Sequence, residues 1–178
     1  LDAIRRMDEV ADAQGRSGLG VKIEVAPGQW ENMTLTAVED FEELRISRVQ
    51  PIYTVDGKPE IGADAFQWPA ENEVVVERSA LRAQNALPAA VRVGDVLALK
   101  TREIKPRDIT LRGFVYDPSG FSATFTGQAT GYVTFDTFER LGGGRAYDQV
   151  LIRVNGTPEQ NSATSWTRFT CTSAFTLR

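Results

Sequence analysis

The stretch Val91 to Tyr116 reads V-R-V-G-D-V-L-A-L-K, then T-R-E-I-K-P-R-D, then I-T-L-R-G-F-V-Y. Two apolar-rich runs flank a charged, Pro-containing link, which predicts a β-hairpin. Val93, Leu97 and Leu99 in one arm and Ile109, Leu111 and Val115 in the other are expected to face one core. Gly94-Asp95 marks the turn into the first arm. Gly113 interrupts the second, where a missing side chain permits a bulge or a close backbone approach. Asp95 reads as a turn cap rather than a reactive carboxylate, because a short acid after Gly bonds nearby backbone N–H groups and neither His nor Cys lies close in sequence.

Working back toward the N-terminus, Glu73 to Glu77 (E-V-V-V-E) predicts a short strand, and Ser79 is placed to cap a brief helix that Pro88 ends. Asp56 to Pro59 reads as a turn opening an aperiodic stretch as far as Trp68-Pro69, with Arg48 to Val55 extended before it. Thr36 followed by Glu39 makes a capping-box pattern, with Val38, Phe41 and Leu44 as the buried side of a helix ending near Ile46. The acids Glu39, Asp40, Glu42 and Glu43 would then sit in its first turn, where the helix dipole favours them structurally. Met33, Leu35 and Ala37 alternate in a strand that returns from Val21 to Val25 through the turn Ala26-Pro27-Gly28. Leu1, Ile4, Met7 and Val10 predict a short first helix, and Gly15, Gly18 and Gly20 a turn after it. That glycine spacing is no phosphate loop, since a strand follows it and no Lys-Ser/Thr pair does.

Toward the C-terminus, Asp117 to Gly120 predicts a turn. Phe121, Thr124, Phe125 and Gly127 then form an irregular loop whose aromatics, if exposed, suit contact with a partner. Gly131 to Phe135 predicts a strand leading into a helix capped by Asp136 and ended by Gly142 to Gly144, and Gln149 to Val154 a last strand. From Glu159 the chain turns Ser/Thr-rich.

Composition narrows the function. The 178 residues are 42% hydrophobic, enough for a real core. Twenty basic and 24 acidic residues without runs of one sign offer no basic face for nucleic acid. One cysteine, Cys171, and no histidine leave no internal disulfide, no Cys/His zinc cluster and no His general base. No apolar run approaches the ~20 residues that span a bilayer.

Six segments, in order, carry a family resemblance: L-T-A-V-E-D-F-E-E-L-R-I (Leu35 to Ile46), W-P-A-E-N-E-V-V-V-E-R-S-A-L (Trp68 to Leu81), V-G-D-V-L-A-L (Val93 to Leu99), I-T-L-R-G-F-V-Y-D (Ile109 to Asp117), G-Y-V-T-F-D-T-F-E-R-L (Gly131 to Leu141) and Y-D-Q-V-L-I-R-V (Tyr147 to Val154). Together they resemble the extracytoplasmic domain of an FtsX/MacB-type ABC transporter permease. The resemblance implies an α+β, two-lobed MacB-like periplasmic core: a porter-like α/β lobe from 1–60 and 146–178, and an inserted smaller β-rich lobe from 61–145. It places the family's first strand ahead of Leu1, and expects an amphipathic helix after Val154, where this chain is Ser/Thr-rich.

By that resemblance the domain catalyses nothing and holds neither cofactor nor metal. It would sit on the extracytoplasmic side of a bacterial membrane, anchored by flanking helices, and couple ATP-driven movements to export of a substrate or to control of an extracytoplasmic partner. Its implied partners are the ATP-binding subunit or domain of the transporter, a second permease copy, and an extracytoplasmic protein or a lipoprotein or peptide substrate. Phe121, Phe125 and Trp68 are the candidate contact residues. The competing reading is a secreted β-rich module that binds a glycan or protein through Trp30, Trp68 and Trp166.

Overall fold

The structure, a computed structural model, describes residues 1–44, 46, 49–55, 58–61, 66–101 and 105–155. The expected hairpin is formed by β6 (Val96–Lys100) and β7 (Arg107–Tyr116), antiparallel with Val96 opposite Thr110 and Leu99 opposite Arg107. Leu97, Leu99, Ile109 and Leu111 are buried in the main core. Val93 is not with them: it precedes the strand beside Gly94, whose φ is +96°, and is exposed. Val115 also departs from the expected face. Where β7 runs parallel to β5 (Glu73–Glu77), Leu111 lies opposite Val74 but Gly113 lies opposite Val75, so Arg112 is an extra residue. A bulge reverses the side-chain alternation beyond it. Phe114 therefore continues the main core, and Val115 joins a second cluster on the opposite face. Gly113 serves the close approach as well, since a Cβ there would stand 2.8 Å from the Phe66 ring.

Around the hairpin the other strands are β1 (Val10–Ala26), β2 (Gln29–Val38), β3 (Gln50–Val55), β4 (Lys58–Ile61), β8 (Ala129–Thr134) and β9 (Gln149–Val154). The neighbours β7-β5-β8-β2-β1-β6 form a ring, closed by the β6–β7 pairing. Alternate residues point into it: Val21 and Ile23, Met33 and Leu35, Val74 and Val76, Leu97 and Leu99, Ile109 and Leu111, Ala129 and Val133. This is the period-two burial that a closed barrel requires. The second cluster, Val38, Phe41, Val49, Val75, Val115 and Tyr132, coats the outside of the same strands.

Pairing crosses the expected boundary at residue 61. β1 bonds β6, β2 runs parallel to β8, and β3 bonds β7. The barrel thus draws strands from both 1–60 and 61–145, and the segment 61–145 does not close a sheet by itself. The two ends of the described chain do meet. Val10 pairs with Val154, and the Asn155 N–H donates to the Glu9 carbonyl at 2.8 Å.

Several local expectations are revised. The first helix, α1, is only Asp2–Arg5. Gly15, Gly18 and Gly20 lie inside the 17-residue β1, which pairs with β9 over Val10–Arg16 and with β2 from Ser17 onward. Gly15 is there for space, since a Cβ would meet the Tyr147 ring at 2.5 Å. The helix expected after Thr36 does not form. Thr36 pairs with Gly18 and Tyr132 in the sheet, and the Asp40 carboxylate accepts the Glu42 and Glu43 N–H groups at 2.7 and 3.3 Å, making a turn. Lys58 and Pro59, read as a turn, belong to β4. Two caps shift by two residues each: Glu77, not Ser79, caps the 3₁₀ turn Arg78–Leu81, and Thr134, not Asp136, caps α3 (Phe135–Arg140). The glycine stop of α3 is as expected: Gly142 N–H bonds the Glu139 carbonyl and Gly143 N–H that of Phe138, with Gly142 at φ +92°. The tail from Glu159, with Trp166 and Cys171, lies outside the described residues.

Candidate functional site

A cleft of about 540 Å³ opens between the 3₁₀ turn Arg78–Leu81, the end of β7 and the segment 117–124. Local sequence builds each wall. β7 ends because Asp117 folds the chain back: its Oδ1 accepts the Ser119 N–H at 2.8 Å and the Ser119 hydroxyl at 2.6 Å. Ser122 then starts the single turn α2 (Ala123–Thr126) by accepting the Thr124 N–H, and Gly127, at φ +69°, ends it. The loop expected to be irregular throughout therefore contains a capped helical turn. On the facing wall the Glu77 carboxylate accepts the N–H and hydroxyl of Ser79. The Ser79 Oγ in turn accepts the Ala123 N–H at 2.7 Å, which clamps the two short helical turns together.

Beneath the cleft lies a buried polar group drawn from three distant parts of the chain. The Tyr132 hydroxyl donates to Asp117 Oδ2 at 2.5 Å, and Arg16 Nη1 stands 3.9 Å from the same oxygen. Burial pushes the Asp117 carboxyl up, but the hydrogen bonds from Ser119 and Tyr132 and the Arg16 charge outweigh it and hold the group below the ordinary range. Tyr132 is driven well above its ordinary value, first by burial and then by the Asp117 charge, so it remains a donor. Arg16 Nε and Nη2 are buried without a hydrogen-bond partner among the described residues.

The carboxylates at the cleft thus point inward and are satisfied. The solvent-facing charges are cationic. The Arg78 guanidinium lies 4.5 Å above the Tyr116 ring, Arg82 is exposed, and among the described residues neither is within ion-pair distance of a carboxylate.

Of the candidate contact residues, Phe121 and Phe125 are 86% and 90% exposed, each next to residues that line this cleft. Leu81, half exposed, joins them from the opposite wall. Trp68 lies elsewhere: it stacks on Phe41 at 5.0 Å and meets Phe66 edge-on in the second cluster. Trp30 is covered by the Lys100 ammonium at 3.7 Å. Asp95 caps its turn as expected, accepting the Arg92 N–H at 2.8 Å. Arg16 and Tyr132 are absent from the sequence-derived candidates, because Arg16 sits among the glycines read as a turn and Tyr132 inside an ordinary alternating strand. Among the described residues no three His, Cys, Asp or Glu side chains converge on a metal site, and no helix is long and apolar enough to cross a membrane.

No family model matches the sequence, and no curated protein matches it closely enough to count as a relative. Solved structures do match. The extracellular domain of the noncanonic ABC-type transporter YknZ from Gram-positive bacteria aligns with 90% of this chain and 73% of its own, at TM-score 0.52 and 11% identity. The periplasmic region of MacB from Actinobacillus actinomycetemcomitans aligns with 96% of this chain and 71% of its own, at the same TM-score and identity. The chain has the α+β fold of the MacB-like periplasmic domains. At 11% identity the likeness is one of backbone architecture.

Proposed function

We propose that this is the non-catalytic extracytoplasmic domain of an ABC transporter permease, held to a bacterial membrane by helices flanking it in the full protein. Its task is to couple ATP-driven movement to export of a substrate, or to control of an extracytoplasmic partner. The observation that carries the reading is the fold shared, over nine-tenths of this chain or more, with extracytoplasmic domains of two transporters. The meeting of Glu9 with Asn155 supports it, since a domain inserted between two spanning helices must return both connections to one bilayer. The ATP-binding subunit would then act through the membrane part, and a second permease copy could stand beside the first.

The contact surface in this reading is the Phe121 and Phe125 loop. Two large aromatics left almost wholly exposed on a clamped turn contribute little to folding, and aromatic anchors of this kind are where interfaces concentrate their energy. The test replaces both by Ser in the full transporter and measures transport together with ATPase activity. Lost transport with folding and ATPase retained is expected. Unchanged transport removes the loop from the account, and a full gene product without membrane helices removes the permease.

A further inference from the structure

The loop's aromatics do not act alone. Each is one residue along the chain from side chains that line a cleft, and among the described residues the solvent-facing charges of that cleft are cationic although the chain as a whole carries −4. Glu77 and Asp117, the acids at the cleft, are 6% and 5% exposed and are spent on Ser79, and on Ser119, Tyr132 and Arg16. What remains for a visitor is the Arg78 guanidinium on its Tyr116 platform, the Arg82 guanidinium, and the apolar surface of Leu81, Phe121 and Phe125. Contact with the face of the Tyr116 ring restrains the Arg78 guanidinium, and a carboxylate is the natural partner for its N–H groups. The hydrogen bond from Ala123 to Ser79 ties the turn that carries Arg78 and Arg82 to the turn whose chain neighbours are Phe121 and Phe125, before anything binds.

We propose that this cleft receives an acidic amphipathic segment of an extracytoplasmic partner protein, its apolar side chains against Leu81, Phe121 and Phe125 and its carboxylates on Arg78 and Arg82. The proposal rests on the reading of this surface as a partner contact and names the chemistry of that partner. The cleft volume, about 540 Å³, suits a few side chains rather than a domain face. Charge complementarity selects acids, because a basic segment would meet two guanidiniums that have no carboxylate partner among the described residues, and a neutral one would leave them so.

The experiment uses the full chain and three probes: a fluorescent peptide of Leu/Glu amphipathic pattern, its twin with every Glu replaced by Lys, and vesicles of phosphatidylglycerol and phosphatidylcholine. Anisotropy should show the acidic peptide binding at least about tenfold tighter than its basic twin, with the preference weakening as salt rises. Arg82→Glu, on an exposed residue that leaves the fold intact by circular dichroism, should cut acidic-peptide affinity about three- to tenfold or more, and Arg82→Lys should restore most of it. Phe121→Ser with Phe125→Ser should weaken both peptides. Equal binding of the twins, no binding of the acidic peptide, or binding confined to anionic vesicles overturns the proposal. If the serine variants stop transport in the full transporter while Arg82→Glu leaves both transport and peptide choice unchanged, the acidic-segment assignment fails and the partner-contact reading of the loop survives.

Discussion

The Glu9 carbonyl accepts the backbone N–H of Asn155 at 2.8 Å, and one residue further in, Val10 is the sheet partner of Val154. This pairing joins the entry and exit of the described chain, so that the long β1 is held at its start by the last strand and along its second half by β2 and β6. Facing residues of antiparallel strands have Cα atoms about 4.5–5.5 Å apart, within the reach of a disulfide. Val10→Cys with Val154→Cys, in a Cys171→Ser background, should therefore oxidise readily and close a loop of most of the chain. The entropic gain for so long a loop is up to about 5 kcal/mol. A faster band on a non-reducing gel and a raised melting temperature, both reversed by reductant, are the expected results.

The Arg16, Asp117 and Tyr132 group makes an asymmetric prediction. Removing Asp117 leaves a buried guanidinium without its only ionic partner among the described residues, which costs about 3–5 kcal/mol. Removing Arg16 leaves Asp117 with its bonds from Ser119 and Tyr132, and relieves two buried nitrogens that have no partner among the described residues. Arg16→Met should therefore cost clearly less than Asp117→Ala by urea unfolding, because the carboxylate it leaves behind keeps three hydrogen bonds. The acid limb follows from the same group. Because the folded carboxyl titrates below its ordinary value of 3.8, its contribution is complete above that value and is lost as pH falls toward the folded one. Asp117→Asn should flatten stability against pH in that acid window and leave its slope near neutrality unchanged.

What could be read from the chain divides along physical lines. Strands marked by a short apolar or alternating run, such as Glu73–Glu77 and Gln149–Val154, were visible because that pattern is local to the sequence and needs no knowledge of the partner strand. The MacB-like fold came from the order of six such segments. The failures share a cause. The Val38–Ile46 helix lost to sheet pairing of Thr36 and packing of Phe41, which local capping patterns do not contain. Val115 changed faces because a bulge at Arg112 is set by the parallel neighbour β5. At the site, Phe121 and Phe125 were legible as turn-flanking aromatics, whereas Arg16 was hidden: nothing near it in sequence reveals a carboxylate 101 positions away, at Asp117.

Gly131 offers a direct test of barrel packing. A Cβ there would stand 2.6 Å from Met33 Cε and 2.9 Å from Val74 Cγ2, inside the ring of strands. Gly131→Ala should cost about 1–3 kcal/mol through overpacking. Gly20→Ala, with nothing within 4 Å, should instead gain about 0.5 kcal/mol from reduced backbone freedom in the unfolded chain. Equal effects at the two positions would contradict the closed barrel.

The Asp95 carboxylate caps a turn, so its loss should be felt in stability alone. Asp95→Ala should cost about 0.5–1.5 kcal/mol for the bond to the Arg92 N–H, and Asp95→Asn, which keeps an acceptor oxygen, less. Any hydrolase or transferase turnover by the purified domain that either substitution abolished would overturn the non-catalytic reading.

The three candidate contact residues separate cleanly by what they touch. Trp68 stacks on Phe41 and meets Phe66, so Trp68→Ala removes half-buried aromatic contact from the second cluster and should cost about 2–3 kcal/mol. Phe121 and Phe125 lose almost nothing to solvent on unfolding, being 86% and 90% exposed already. Their replacement by Ser should change stability by no more than about 0.5 kcal/mol. Thermal unfolding of the three variants measures this directly. If the serine variants keep the parental melting temperature and the transporter carrying them stops working, the defect lies in what the surface meets rather than in the fold. If they melt early, the aromatics hold the loop in place, and the contact surface must be sought elsewhere on the domain.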